Sequence, residues 1–276
     1  MAWHAHLSLD YAREGARTVL RHRHDGPLRI LQSLYPEGDA VCHNVLVHPP
    51  GGLVGGDTLD VHCHVGPGAH GLVTSPGATR FYRSEAGRAT QQVQGHVQSG
   101  GRLEWMPLEA IAYRGCDAEN RLVFALEPEA ELMAWDVTAL GLPAAGQPFD
   151  RGTFRQHLEI PGVWLEKGRI DATDTRLLQS PLGLAGQCAM GSLVLASGSA
   201  MASERTERVL DAARECIEAS PLRLLAGATS PHPQVVVVRA LAPLVEPLMQ
   251  LLQAVRAAWR VEAWHLGAEP SRLWSV

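Results

Sequence analysis

The sequence predicts a mainly β protein with a small helical part near its C-terminus, and three observations carry that expectation. Apolar residues alternate with polar or small ones over short runs, as in Trp3, Ala5, Leu7 and Leu9 and again in Leu59, Val61, Cys63 and Val65. That is the period of a strand with one buried face. Turn signals punctuate the first two thirds at intervals of roughly ten residues, the spacing of sandwiches, barrels and solenoids. Helical periodicity is confined to two late segments.

Further strands are expected at 18–23, 28–34, 40–47, 69–74, 89–98, 102–106, 120–126, 131–138, 153–160 and 163–170. The breaks between them are Asp25-Gly26-Pro27, Pro36-Glu37-Gly38-Asp39, Gly66-Pro67-Gly68, Ser99-Gly100-Gly101 and Pro161-Gly162. In 203–219, Val209, Leu210, Ala213, Cys216 and Ile217 mark one apolar helix face, with Ser203 as N-cap and Pro221 as the stop. In 245–260, Leu248, Met249, Leu251, Leu252, Val255 and Trp259 mark another, and Pro247 suits the first turn. Between them, Gln234-Val235-Val236-Val237-Val238-Arg239 reads as a buried strand. No repeat of fixed period is visible, and no linker divides the chain, so residues 1–276 are expected to form one unit.

The 276 residues are 46% hydrophobic and 19% charged, which excludes a disordered chain. The net charge of −5 leaves no general footprint for nucleic acid. Nearly all the basic residues are arginine, Lys167 being the single lysine. No apolar run reaches the ~18 residues of a membrane span, and no basic stretch followed by an apolar one opens the chain, so no membrane association and a cytoplasmic location are expected. Cys42, Cys63, Cys116, Cys188 and Cys216 are odd in number and scattered, which suits free thiols in a reducing compartment.

The densest local signal is His48-Pro49-Pro50-Gly51-Gly52-Leu53-Val54-Gly55-Gly56-Asp57. Pro50 and Gly51 suit a type II turn, and Gly55 and Gly56 allow a second sharp bend or a close backbone approach. A phosphate loop needs lysine and a hydroxyl after its last glycine, whereas Asp57 stands there and would repel phosphate. The segment therefore reads as a rigid junction between strands.

Other chemistry is sparse. His62 and His64 fall on one face of a strand, a spacing able to chelate a transition metal, and His22 and His24 form a similar pair; no further ligand is named by spacing. No zinc-protease or nucleophile-elbow motif occurs. Glu104, Glu109, Asp136 and Glu166 each sit among apolar positions, where a carboxylate needs a partner or water. Three readings stay open: pairing with arginines such as Arg80, Arg83 and Arg239, a hydrated cation path, or an acid/base pair for glycoside chemistry. Arg80-Phe81-Tyr82-Arg83-Ser84 joins arginine to aromatics, the composition of interface patches, with Arg80, Tyr82 and Arg83 as candidate contacts.

The glycine-rich decapeptide resembles the signature of the urease accessory protein D family, called H in some bacteria. Thr79-Arg80-Phe81-Tyr82-Arg83-Ser84, the run from Leu103 to Ile111, Trp135-Asp136-Val137-Thr138-Ala139-Leu140-Gly141, Arg151-Gly152-Thr153-Phe154 and Pro270-Ser271-Arg272-Leu273-Trp274 resemble further family motifs in the same order. Leu142 stands where the family favours arginine.

The resemblance implies an irregular β-helix-like fold and a non-catalytic maturation factor for urease, a nickel enzyme. It implies direct binding to apo-urease and to accessory protein F, contact through F with the accessory GTPase G, and passage of nickel through an internal hydrated tunnel. On that reading no cofactor is tightly held and nickel is transient. Asp57, Glu104, Glu109 and Glu166 are the expected ion-path residues, Pro50, Gly51, Gly52, Gly55 and Gly56 the structural signature, and His62 and His64 weaker metal candidates. Two rival classes share the strand density: a β-helical polysaccharide-active enzyme and a β-barrel small-ligand binding protein.

Overall fold

The structure, a computed structural model, describes residues 2–267 and 270–274. Along the chain lie β1 (His4–Glu14), β2 (Arg17–Asp25), β3 (Arg29–Ile30), β4 (Val41–Val47), β5 (Thr58–Val65), β6 (His70–Thr74), β7 (Thr79–Phe81), β8 (Ala89–Val97), β9 (Arg102–Met106), β10 (Ala110–Ala112), β11 (Cys116–Leu126) and β12 (Glu131–Leu142). There follow β13 (Gln147–Pro148), β14 (Gly152–Ile160), β15 (Trp164–Asp171), α1 (Thr175–Gln179), β16 (Ala189–Ser197), α2 (Ser203–Glu218), β17 (Ala226–His232), β18 (Val235–Ala242) and α3 (Val245–Trp264).

Two large sheets face each other. The first runs β15-β14-β11-β8-β5-β1-β2 and the second β17-β18-β16-β12-β9-β6-β4-β3. From β4 to β14 the chain winds between them. The long strands within each sheet stack in parallel, and β7, β10 and the end of β12 make a short third side. This is the solenoid-like arrangement that the family resemblance implies. Thr58 pairs with Thr90, Thr90 with Glu119, and Glu119 with Arg155, so successive coils advance 32, 29 and 36 residues. That unevenness hides the repeat from any search for a constant period. At both edges of the first sheet the direction reverses: β1 pairs with β2, and β14 with β15, in antiparallel fashion.

The coil corners are stitched by backbone hydrogen bonds. Gly66 N–H donates to Tyr11 O (2.8 Å), Gln98 N–H to Val65 O (2.9 Å) and Glu127 N–H to Val97 O (2.9 Å). A core fills the space between the sheets, with Leu7, Val61, Val93, Leu122, Phe124, Phe154 and Leu158 fully buried. Phe124 lies opposite Gly95 on the neighbouring strand, and a Cβ on Gly95 would fall 2.3 Å from its ring. A second core lies between the outer face of the second sheet and α2 and α3, built on Trp135, Leu193, Val236, Val209, Leu252 and Trp259.

The two late helices form where the apolar spacing places them, and α3 runs on to Trp264. Ser203 is not the N-cap of α2: Ala202 occupies that position without a side-chain bond, and Ser203 begins the helix. The expected strand at 28–34 shrinks to Arg29–Ile30 plus a bridge from Leu34 to His43. Strands β16 and β17 and the short helix α1 were not expected from the sequence.

Gly95→Ala overpacks the ring of Phe124 and lowers stability by roughly 1–3 kcal/mol, read from urea denaturation midpoints.

Candidate functional site

The glycine-rich segment folds as two successive turns against the third side of the coil. The first closes one residue earlier than expected, with Gly51 N–H on His48 O (2.8 Å) and Gly51 at φ 77°. The second closes with Asp57 N–H on Val54 O (3.0 Å), Gly56 taking φ 86°. The glycines are demanded by contact as well as by dihedral. A Cβ on Gly52 would fall 2.3 Å from the ring of Tyr82, and one on Gly55 2.5 Å from Ser84 Oγ. Leu53 exchanges backbone bonds with Arg80 and Tyr82, so this loop and the Arg80–Ser84 segment are one packed unit.

Asp57 ties that unit down. Its Oδ1 accepts from Trp3 N–H (2.8 Å) and its Oδ2 from Val54 N–H (3.0 Å). Tyr82 packs at a tilt against Tyr113, ring centroids 4.8 Å apart, Arg83 pairs with Glu85 on the surface at 2.9 Å, and exposed Arg80 lines a cavity mouth.

Glu104 projects from β9 toward α3. Its Oε1 meets His70 Nε2 at 2.9 Å and Arg260 at 3.3 Å, while its Oε2 meets Arg256 Nε at 2.8 Å. Glu37 binds the other side of Arg260 and also His43 Nε2, the latter at 2.6 Å. Burial alone would raise the Glu104 carboxyl, but Arg256, His70 and Arg260 outweigh it and hold it far below the ordinary range. Two carboxylates and two guanidiniums thus neutralise each other where α3 meets the sheet.

Glu109 lies elsewhere, half-buried beside a cavity of about 250 Å³ shared with Gly141, Leu142 and Cys188; burial raises its carboxyl, partly opposed by Arg80. Glu166 accepts from Ser192 Oγ (2.7 Å) and Arg239 Nε (2.6 Å). The four expected path residues are therefore not gathered into one cluster.

What the coil gathers instead is a polar run through its interior. The parallel register sets Gln91, Asn120 and Gln156 one above another on adjacent strands. Thr79 Oγ1 donates to Gln91 Oε1 (3.3 Å), Gln91 Nε2 to Asn120 Oδ1 (3.0 Å) and Asn120 Nδ2 to Asp136 Oδ1 (2.9 Å). Asp136 sits opposite Ser192 on β16, and Ser192 bonds Glu166.

At one end the run opens into a cavity of about 210 Å³ lined by His48, Ser75, Thr79 and Arg80. At the other it meets a cavity of about 440 Å³ lined by Glu166, Ser192 and Arg239. A separate small cavity of about 10 Å³ lies around Thr79, Gln91, Asn120 and Asp136, room for a single water.

Asp136 is the pivot of the run. Burial pushes its carboxyl up to about 6, with Glu166 adding to the rise and Gln156 and Asn120 opposing it. Its Oδ2, Gln156 Nε2 and Thr138 Oγ1 are sealed from solvent and have no hydrogen-bond partner among the described residues, the condition that a transient water relieves. Burial also pulls His48 down, so the imidazole at the first mouth favours its neutral, metal-binding form. Asp136 was visible in the sequence as one carboxylate among several. Its partners Gln91, Asn120 and Gln156 were not, because neutral amides on alternating strands carry no motif.

The family model for UreD urease accessory protein matches residues 4–275. The chain belongs to the UreD family of urease accessory proteins. It is 62% identical to the urease accessory protein UreD of Variovorax paradoxus, with both chains covered in full over 276 residues. It is 61% identical to that of Paracidovorax citrulli and 62% to that of Verminephrobacter eiseniae, again over the full length of each. The signature loop, the Arg80 segment and Asp136 all fall within the matched span. No helix among the described residues is long and apolar enough to cross a membrane.

Two outcomes are expected. Glu104→Ala leaves Arg256 and Arg260 with excess buried charge and costs about 3–5 kcal/mol, measured by urea unfolding. For Asp136, a folded-state value near 6 against an ordinary 3.8 means that the fold binds a proton the unfolded chain releases. Its contribution to stability is present below pH 4 and is lost as pH rises through 6. The stability of Asp136→Asn relative to the native chain therefore climbs by up to roughly 3 kcal/mol between pH 4 and pH 8, and a flat difference would contradict the buried charge.

Proposed function

We propose that this protein is a non-catalytic urease maturation factor that passes nickel through its coil interior while docked on apo-urease. On this reading it works in the cytoplasm, binds accessory protein F directly and, through F, takes nickel from the accessory GTPase G. Family membership supports the accessory role. The single observation that supports a path is the interior run from Thr79 through Gln91, Asn120 and Asp136 to Ser192 and Glu166, open to a cavity at each end.

The chemistry suits cargo that must leave again. Amide, hydroxyl and carboxylate oxygens are harder and weaker ligands for nickel than thiolate, and the run contains no cysteine. Neutral dipoles hydrate an ion without trapping it, and Asp136 supplies one carboxylate whose proton is exchanged near neutral pH. Asp57 supports this path by fixing the signature loop at the first mouth, whereas Glu104 lies outside it and locks α3 onto the outer face of the second sheet. Glu166 and Arg239 form the second mouth, and Glu109 stands beside a separate cavity. The surface of Arg80, Tyr82 and Arg83 around the first mouth is the proposed protein contact.

The rival classes find less support. A barrel needs closed sheets, and both sheets here have free edges, at β15 and β2 and at β17 and β3. A polysaccharide-active enzyme needs a carboxylate pair facing an open groove, whereas Asp136 lies inside the coil and Glu166 is held by Ser192 and Arg239.

The test co-expresses Asp136→Asn and Asn120→Leu variants with urease and the remaining accessory proteins. The expected result is retained pull-down of F and apo-urease together with a severalfold loss of urease nickel content. Unchanged nickel loading by variants that fold and enter the complex would refute the path. Failure of the native chain to capture either partner would refute the scaffold.

A further inference from the structure

We infer that His6, Asp60 and His62 form a binding site for a divalent transition-metal ion on the outer face of the first sheet. The site is separate from the coil interior and does not rest on the proposed path. It arises from register: β1 and β5 run parallel, with His6 opposite Asp60 and Ser8 opposite His62. Their side chains stand on the face turned away from the core, as the alternating burial of β5 requires.

The two Asp60 contacts are spaced as in a chelate. Asp60 Oδ2 lies 3.4 Å from His6 Nδ1 and 3.1 Å from His62 Nε2. A metal that holds nitrogen and carboxylate oxygen at about 2.0–2.2 Å keeps neighbouring ligand atoms roughly 3.0–3.4 Å apart, for angles between ninety degrees and tetrahedral. All three ligand atoms fall within 4.8 Å of one another. The rings themselves tilt together at 5.1 Å between centroids.

Two further observations set this cluster apart from an ordinary histidine–aspartate contact. His6 places its other nitrogen 2.9 Å from Ser8 Oγ. When Nε2–H donates to this hydroxyl the ring is fixed and its Nδ1 lone pair is free for a metal, the outer-sphere support that metal-bound imidazoles receive. Asp60 Oδ1 is sealed from solvent and has no hydrogen-bond partner among the described residues, so both imidazole contacts of the carboxylate are made through Oδ2, the ligand oxygen. The imidazole side chains remain 39% and 45% exposed, which leaves the other coordination positions to water. Two imidazoles and one carboxylate select nickel, cobalt, copper or zinc over calcium or magnesium.

The contrast lies in the same chain. His22 and His24 stack at 6.3 Å on β2 and pair with no carboxylate among the described residues; His24 faces Arg29 instead, at 3.0 Å.

Calorimetric titration of the full-length chain with Ni²⁺, and separately with Zn²⁺, tests the site, with circular dichroism confirming the fold of each variant. The expected result is loss of one bound ion per chain in His6→Ala/His62→Ala and in Asp60→Asn, none in His22→Ala/His24→Ala, and about tenfold weaker binding in Ser8→Ala. Equal stoichiometry in the native and His6→Ala/His62→Ala chains overturns the site, as does an equal loss in the His22/His24 control. The readout is binding to the isolated chain, so its outcome is independent of whether Asp136 variants still load urease.

Discussion

The structure depends on one constraint, the in-register stacking of parallel strands from coil to coil. In such a stack each side chain sits over its counterpart about 4.8 Å away, so chemistry that is scattered along the chain becomes contiguous in space. Gln91, Asn120 and Gln156 are far apart in sequence and adjacent in the fold. The same register, read on the opposite face, brings His6 to Asp60 and His62. Alternation with period two decides which residues enter the interior and which remain outside, so one backbone rule produces both the inner polar run and the outer imidazole cluster.

Burial acts in opposite directions at Glu104 and Asp136. Both are withdrawn from water, yet one carboxyl is driven down and the other up. The difference is in what surrounds them. Glu104 is met by two guanidiniums and an imidazole brought by α3 and β6, and that arrangement is static: every charge has a counter-charge, and exchange would leave one exposed. Among the described residues Asp136 is met by the amides of Asn120 and Gln156 and by the like charge of Glu166. Dipoles soften its desolvation without cancelling it, which leaves the group responsive to any cation or proton that arrives. A fully compensated carboxylate anchors, whereas an under-compensated one is available for exchange.

Much of the strand pattern was legible because the first sheet keeps one face in the core, so β1, β5, β8 and β11 alternate cleanly. The helices were legible for the same reason at a different period. Strand β16 lacks alternation, its Ala189–Ser197 run being buried on both faces, and β7 and β10 are too short to carry any period. Among the site residues, the glycines announced a constrained junction, and the structure supplies the reason in the ring of Tyr82. The carboxylates were visible one by one, but whether each had a partner depended on contacts such as Glu104 with Arg256, separated by 152 residues. Long-range pairing of that kind leaves no local trace.

A parallel coil stack has an inherent hazard, since its last rung offers the same unpaired backbone as its first and invites a neighbour to continue the ladder. In the first sheet the chain turns back at both limits, placing antiparallel β2 beyond β1 and antiparallel β15 beyond β14. The residues presented at those borders are charged and exposed: Arg21, Arg23 and Asp25 on one side, Lys167 and Arg169 on the other. Reversal of direction breaks the template, and charge disfavours a second chain from docking there. The fold thereby stays finite, ending by its own strand order where an uncapped solenoid would grow into a fibre.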